Sequence, residues 1–109
     1  MNTTKIGRQA EAQAATYLES LGYTIIEQNW RTRYCEIDIV ARKAEIIYFV
    51  EVKHRSSIQQ GSGFDYITSA KQRQMRFAAD FWVATHNWTS TFELAAAEVG
   101  LGNVELVLI

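Results

Sequence analysis

Two short apolar runs, Cys35-Glu-Ile-Asp-Ile-Val-Ala41 and Ile46-Ile-Tyr-Phe-Val-Glu-Val-Lys53, constrain this chain more than any other feature. Their Val, Ile, Tyr and Phe content marks both as core strands. Each carries a carboxylate, Asp38 or Glu51, where a buried strand calls for another Val or Ile, and Lys53 follows. A bare carboxylate buried in such a place costs several kcal/mol unless a cation or hydrogen bonds compensate it. Two carboxylates and a lysine brought together in this way point to a divalent-metal site.

The register between the runs decides whether they meet. Lys43-Ala-Glu45 lacks Gly and Asn, which disfavours a tight primed turn and predicts a four-residue loop from Lys43 to Ile46. Arg42 then faces Ile47, Val40 faces Phe49, Asp38 faces Glu51 and Glu36 faces Lys53. Directly opposed residues share a face, with Cβ atoms about 4.5–5.5 Å apart. A three-residue loop sends Asp38 and Glu51 to opposite faces. Like charges so close require either a proton on one of them or a shared cation. Oxygen ligands completed by water and phosphate suit Mg²⁺ or Mn²⁺. Such an ion stabilises charge on a phosphodiester and lowers the pKa of a bound water. Lys53, two residues beyond Glu51, projects to the same face and can orient that water or neutralise phosphate charge.

The rest of the chain supplies a scaffold. At 109 residues and 48% hydrophobic content it is long and apolar enough for one domain, 1–109, with a real core. No apolar run reaches the ~20 residues of a membrane span, and the first residues lack a signal-peptide layout, so a cytoplasmic location and no membrane partner are expected. One cysteine, Cys35, forbids an intramolecular disulfide, and with His54 and His86 it cannot build a four-ligand zinc site. The formal net charge is −1, so a nucleic-acid partner has to meet a local patch. Most of the 11 Lys and Arg residues fall between Arg31 and Arg76.

Helical spacing predicts a first helix from about Thr4 to Leu21, capped by Thr3 or Thr4 and closed by Gly22. Its stripe, Gly7, Ala10, Glu11, Ala14, Leu18 and Leu21, puts Glu11 on or beside the inward face. Glu11 can therefore hold a water at the acidic site from above, or simply cap or pair at the helix edge. Strands follow at about Tyr23–Gln28, Cys35–Arg42 and Ile46–His54, with Asn29–Tyr34 as a link. A polar loop spans Arg55–Tyr66, then a second helix runs from about Thr68 to Thr85 with Ile67, Lys71, Met75, Ala78 and Trp82 in line. Strands at about Thr91–Val99 and Asn103–Ile109 close the chain. The order αβββαββ predicts an α/β fold with a mixed sheet between helices.

At these residues the chain resembles a known family. Glu11-Ala-x-Ala, Tyr17-Leu, Gly22-Tyr, Asn29-x-Arg31, Glu36-Ile-Asp-Ile-Val-Ala41, Phe49-Val-Glu-Val-Lys53 and Arg55 are similar to the YraN family of small bacterial proteins, regarded as predicted endonucleases. More widely the pattern resembles archaeal Holliday-junction resolvases and the PD-(D/E)xK nucleases. The resemblance covers about residues 6–82. It implies a restriction-endonuclease-like αβββαβ core, Asp38, Glu51, Lys53 and Glu11 as catalytic residues, and metal bound by Asp38, Glu51 and the Val52 carbonyl. It further implies a Mg²⁺- or Mn²⁺-dependent DNA endonuclease, with branched or structured DNA as substrate and a homodimer as a plausible assembly. Three departures stand out. Cys35 replaces the usual Gly, Ile37 replaces the proline of the wider motif, and Thr91-Phe92-Glu93 stands where many relatives have Arg-Phe-Asp.

The alternatives are a nucleic-acid-binding or repair accessory protein without turnover, and a structural module with a vestigial acid cluster. Arg31, Arg33, Arg55 and Lys71 can bind phosphate or merely solvate loops and a helix edge. Trp30 can stack on a base, although Trp30, Trp82 and Trp88 read first as core. His54 and His86 read as surface residues, and Cys35 as a small core hydrophobe.

Overall fold

The computed structural model of the protein describes residues 3–55 and 64–109. The polar Ser-Ser, Gln-Gln and Gly-Ser-Gly stretch expected after Arg55 falls outside these residues, as do the side chains of Thr3 and Thr4. The elements are α1 (Thr3–Ser20), β1 (Thr24–Arg31), β2 (Glu36–Lys43), β3 (Ile46–His54), α2 (Ser69–His86), β4 (Phe92–Val99) and β5 (Val104–Leu108). The strands form one sheet in the order β1-β2-β3-β4-β5. Only β3 and β4 are parallel, because α2 is the crossover between them and a parallel pair needs one. The α/β expectation, with αβββαβ order and a mixed sheet between helices, therefore holds.

Each helix covers one face. Ala10, Ala14, Ala15 and Leu18 of α1 pack on Ile39, Ala41, Val50, Ala95, Ala97 and Val99. Ala78, Ala79 and Trp82 of α2 pack on Ile37, Val40, Ile47 and Phe49. β4 carries three consecutive buried alanines, Ala95 to Ala97, as a strand covered on both faces must be apolar throughout. Gly22 adopts φ +94 beyond α1, and Tyr23 N–H donates to the Leu18 carbonyl at 3.0 Å, the left-handed helix ending that glycine favours. Leu21, expected in the stripe, lies past the helix end and is exposed. The Thr68 hydroxyl caps α2 by accepting from Lys71 N–H at 3.2 Å.

Two local expectations are corrected. β1 continues through Asn29-Trp-Arg31 rather than ending at Gln28, because Trp30 pairs with Ile37 and its ring packs into the α2-side core. Asn29 accommodates this with φ +54, a conformation Asn tolerates. The hairpin closes in two residues, Ala44-Glu45, with Lys43 paired to Ile46 and Ala44 at φ +55. A left-handed alanine costs about 1–2 kcal/mol, offset here by the extra rung and by Arg42 Nε–H donating to the Ala44 carbonyl at 2.9 Å. The added rung leaves the register unchanged: Arg42 faces Ile47 and Val40 faces Phe49.

Candidate active site: an acidic fork in the sheet

The β2–β3 ladder stops at the Ile39–Val50 pair, one step short of Asp38 and Glu51. The expected Asp38–Glu51 and Glu36–Lys53 rungs do not form. Instead, Asp38 Oδ2 accepts a hydrogen bond from Val52 N–H at 2.8 Å. A carboxylate facing another carboxylate at rung distance is repelled, and the nearest strong donor is the β3 backbone. The strands thus part, with the Asp38 side chain filling the gap. Inside–outside alternation slips at the same point. Ile39 and Ala41 belong to the α1-side core and Val40 to the α2-side core, yet Ile37 also joins the α2 side. Asp38 is the residue that absorbs the change.

Glu51 points to the α2 face, where Oε1 meets Lys71 Nζ at 2.8 Å. Together with Glu36 it lines an open cleft of about 550 Å³ beside α2. Glu11 lies on the other side, where it lines a second cleft with Asn29 and Arg31. Its Oε1 is buried and has no hydrogen-bond partner among the described residues. The cluster therefore straddles the end of the sheet, with Asp38 between the two clefts.

The electrostatics follow from this crowding. Burial pushes the Asp38 carboxyl up to about 7; the Val52 N–H opposes the rise, and Glu51, Glu11 and Glu36 add to it. Burial also raises Glu11, against the hydrogen bond from Asn29 and the nearby Arg31 charge. Lys53 has no carboxylate partner among the described residues; its Nζ stands over the Tyr66 ring, 5.7 Å from the centroid. The Tyr66 hydroxyl is buried without a partner among these residues. Its pKa is raised by burial first, then by Glu51, Glu98 and Asp38.

The four expected phosphate-binding cations are placed variously. Arg31 pairs with Glu36 at 3.2 Å, Arg55 with Glu98 at 3.3 Å and Lys71 with Glu51. Arg33 rests over the Tyr34 ring at 5.4 Å. Of the tryptophans, Trp82 is buried while Trp30 and Trp88 are half-buried against the same cluster. Cys35 packs there too, with Sγ 3.5 Å from the Thr32 hydroxyl. His54 is exposed as expected. His86 is exposed as well, and it also stacks on Trp82 at 4.0 Å with its Nε2 3.0 Å from Glu27 Oε1.

Two groups escaped the sequence reading. Glu98, buried at the end of β4 and in register with Lys53, carried the same signal as Asp38, an acid inside an apolar strand. Tyr66, in the turn before α2, carried none.

The chain matches the uncharacterised protein family UPF0102 over residues 10–103, a span that includes Glu11, Asp38, Glu51, Lys53 and Lys71. It belongs to that family. Among UPF0102 proteins, that of Chlorobium chlorochromatii (strain CaD3) is 48% identical over 82 residues, covering 75% of this chain and 64% of the relative. That of Desulforapulum autotrophicum is 44% identical over 79 residues, 72% of this chain and 65% of the relative. The chain thus spans somewhat less than two thirds of these two proteins. The UPF0102 protein of Rhodococcus opacus (strain B4) is 36% identical over 100 residues, with 89% and 85% covered. No helix among the described residues is long and apolar enough to cross a membrane.

The donor set bears on a metal ion. Among the described residues no three His, Cys, Asp or Glu side chains are disposed to hold one. Magnesium, however, commonly takes one or two carboxylates and completes its shell with water and substrate phosphate. Asp38 and Glu51, with the orphaned Glu11 oxygen nearby, fit that smaller requirement.

Proposed function

We propose that this UPF0102 protein is a divalent-metal-dependent DNA endonuclease centred on Asp38, Glu51 and Lys53. The observation carrying the reading is the fork itself. A largely buried aspartate has its pKa pushed up to about 7 by burial first, with Glu51, Glu11 and Glu36 adding to the rise. Ionising a buried carboxyl beside other acids is costly, and a cation relieves it. Asp38, Glu51 and the Val52 carbonyl would hold Mg²⁺ or Mn²⁺. The ion, when bound, supplies Lewis-acid stabilisation of charge on the phosphodiester.

The chain's own residues then have distinct tasks. Lys53, unpaired among the described carboxylates and on the Glu51 side of β3, donates to a phosphate oxygen or to the attacking water. Glu11 accepts from a water through its unpartnered Oε1. Lys71 neutralises Glu51 in the free protein and becomes available to phosphate when another cation replaces it. Branched or structured DNA as substrate, and a homodimer to cut two strands, extend the likeness to resolvases.

One observation favours a second reading, a binding or repair accessory protein without turnover. Lys71 already occupies one carboxylate of the pair at 2.8 Å.

Incubation with fork, junction, single-stranded and duplex DNA plus Mn²⁺ separates the two. Cleavage by wild type that falls at least 100-fold in Lys53→Ala supports the nuclease, in line with the loss of one electrostatic group from an active site. Cleavage unchanged by that substitution is a contaminant's. Tight binding without cleavage establishes the accessory role.

A further inference from the structure

The cleft that Glu51 opens into leads away from the acids to exposed aromatic rings. Glu36, Glu51, Lys71 and Arg73 line it together with Tyr34 and Phe77. Tyr34 is 67% exposed and Phe77 52% exposed. Both lean on one ring: Phe81 lies 6.3 Å from Tyr34 and 6.2 Å from Phe77, centroid to centroid. Trp30 backs Phe81 at 5.9 Å, so the two exposed rings stand on a supported aromatic base rather than on mobile side chains. Exposed apolar surface that is contiguous, as these clustered rings are, and rimmed by polar residues marks a binding site.

The charge around the rings selects the occupant. Lys71 is neutralised by Glu51 and Arg31 by Glu36. That leaves Arg73, which has no carboxylate partner among the described residues, and Arg33, which sits over the Tyr34 ring. Uncancelled guanidinium groups beside exposed aromatic faces suit a polyanion with accessible bases. Bases inside a duplex are stacked on one another and present only their edges, so they cannot lie on such rings.

We propose that this cleft binds an unpaired DNA strand, its bases stacked on Tyr34 and Phe77 and its phosphates met by Arg33 and Arg73, leading the strand toward Glu51. This deepens the nuclease reading by giving the substrate a single-stranded segment next to the acidic fork, and it rests on that reading only for what happens at the fork.

Binding is measured by fluorescence anisotropy of a labelled 15-nucleotide oligo-dT and of a blunt duplex of equal length, in EDTA. Wild type is expected to bind the single strand at least tenfold tighter than the duplex. Tyr34→Ala and Phe77→Ala are each expected to weaken single-strand binding about tenfold, within the range of lost base stacking, and Tyr34→Phe to restore it. Because both rings are largely exposed, an unchanged melting temperature certifies each variant. Equal affinity for duplex, or aromatic variants that bind like wild type, would overturn the proposal. Single-strand preference without any Mn²⁺ response keeps it and removes the metal reading; the reverse outcome removes it and keeps the metal.

Discussion

At pH 8 and without divalent ions, Asp38→Asn is expected to melt at least about 10 °C above wild type. The folded protein holds the Asp38 proton up to about pH 7, whereas an ordinary aspartate releases it near 3.8. Between these values the folded state binds more protons than the unfolded chain, so wild-type stability falls as pH rises from about 4 to about 7. At about 1.4 kcal/mol per pH unit, the loss is on the order of 4 kcal/mol. One kcal/mol shifts the melting temperature of a domain near this size by about 4–8 °C. The neutral asparagine has nearly the same shape and its oxygen can still accept from Val52 N–H, so the variant escapes the loss. At pH 4, where Asp38 is protonated in the folded state, the two proteins should converge. A variant that melts below wild type at pH 8 would mean the carboxylate is compensated in the free protein. A stabilising change at a residue proposed to be essential is the signature of a site built for binding rather than for stability.

Trp82→Ala is expected to cost about 3–5 kcal/mol, the range for deleting a buried large aromatic. Trp82 is 4% exposed and joins three parts of the α2 side. Its ring meets Phe49 edge-on at 5.4 Å and stacks on His86 at 4.0 Å. Its Nε1–H donates to Glu27 Oε1 at 2.9 Å, tying α2 to β1. Truncation leaves a cavity between helix and sheet and a half-buried glutamate with one partner fewer. For a domain with a typical stability of about 5–15 kcal/mol, this is roughly a fifth or more of the total. Urea denaturation of wild type, Trp82→Phe and Trp82→Ala checks the size. Trp82→Phe should lose only part, since the ring packing largely remains. A loss below about 1 kcal/mol for the alanine variant would show that α2 is held elsewhere, for instance by Met75 and Ala78.

Much of this was readable from the chain, and the misses have physical causes. The register was readable because face assignment depends only on loop parity: a two-residue turn gives Arg42 opposite Ile47 just as a four-residue loop does. The fork was not, because it depends on what a desolvated carboxylate bonds to, and Val52 N–H lies 14 residues away. Glu11 was picked out by its place beside an alanine stripe, and it does lie at the margin of α1 with one buried oxygen. Asn29 read as a loop residue because its left-handed tendency says nothing of the Trp30 ring that holds the strand in place. Lys71 read as a snorkelling or phosphate-binding lysine, since no local pattern announces an ion pair with Glu51 across the crossover. His86 read as surface and is exposed; its stacking on Trp82 and its contact with Glu27 across to β1 carried no local signal.

Titration of Mn²⁺ into the protein at pH 8, followed by calorimetry, tests the shared-cation claim most directly. Wild type is expected to take up the ion, while Asp38→Asn and Glu51→Gln, each confirmed folded by its melting curve, give only heats of dilution. No uptake by wild type at millimolar Mn²⁺, or equal uptake by all three proteins, would contradict the account.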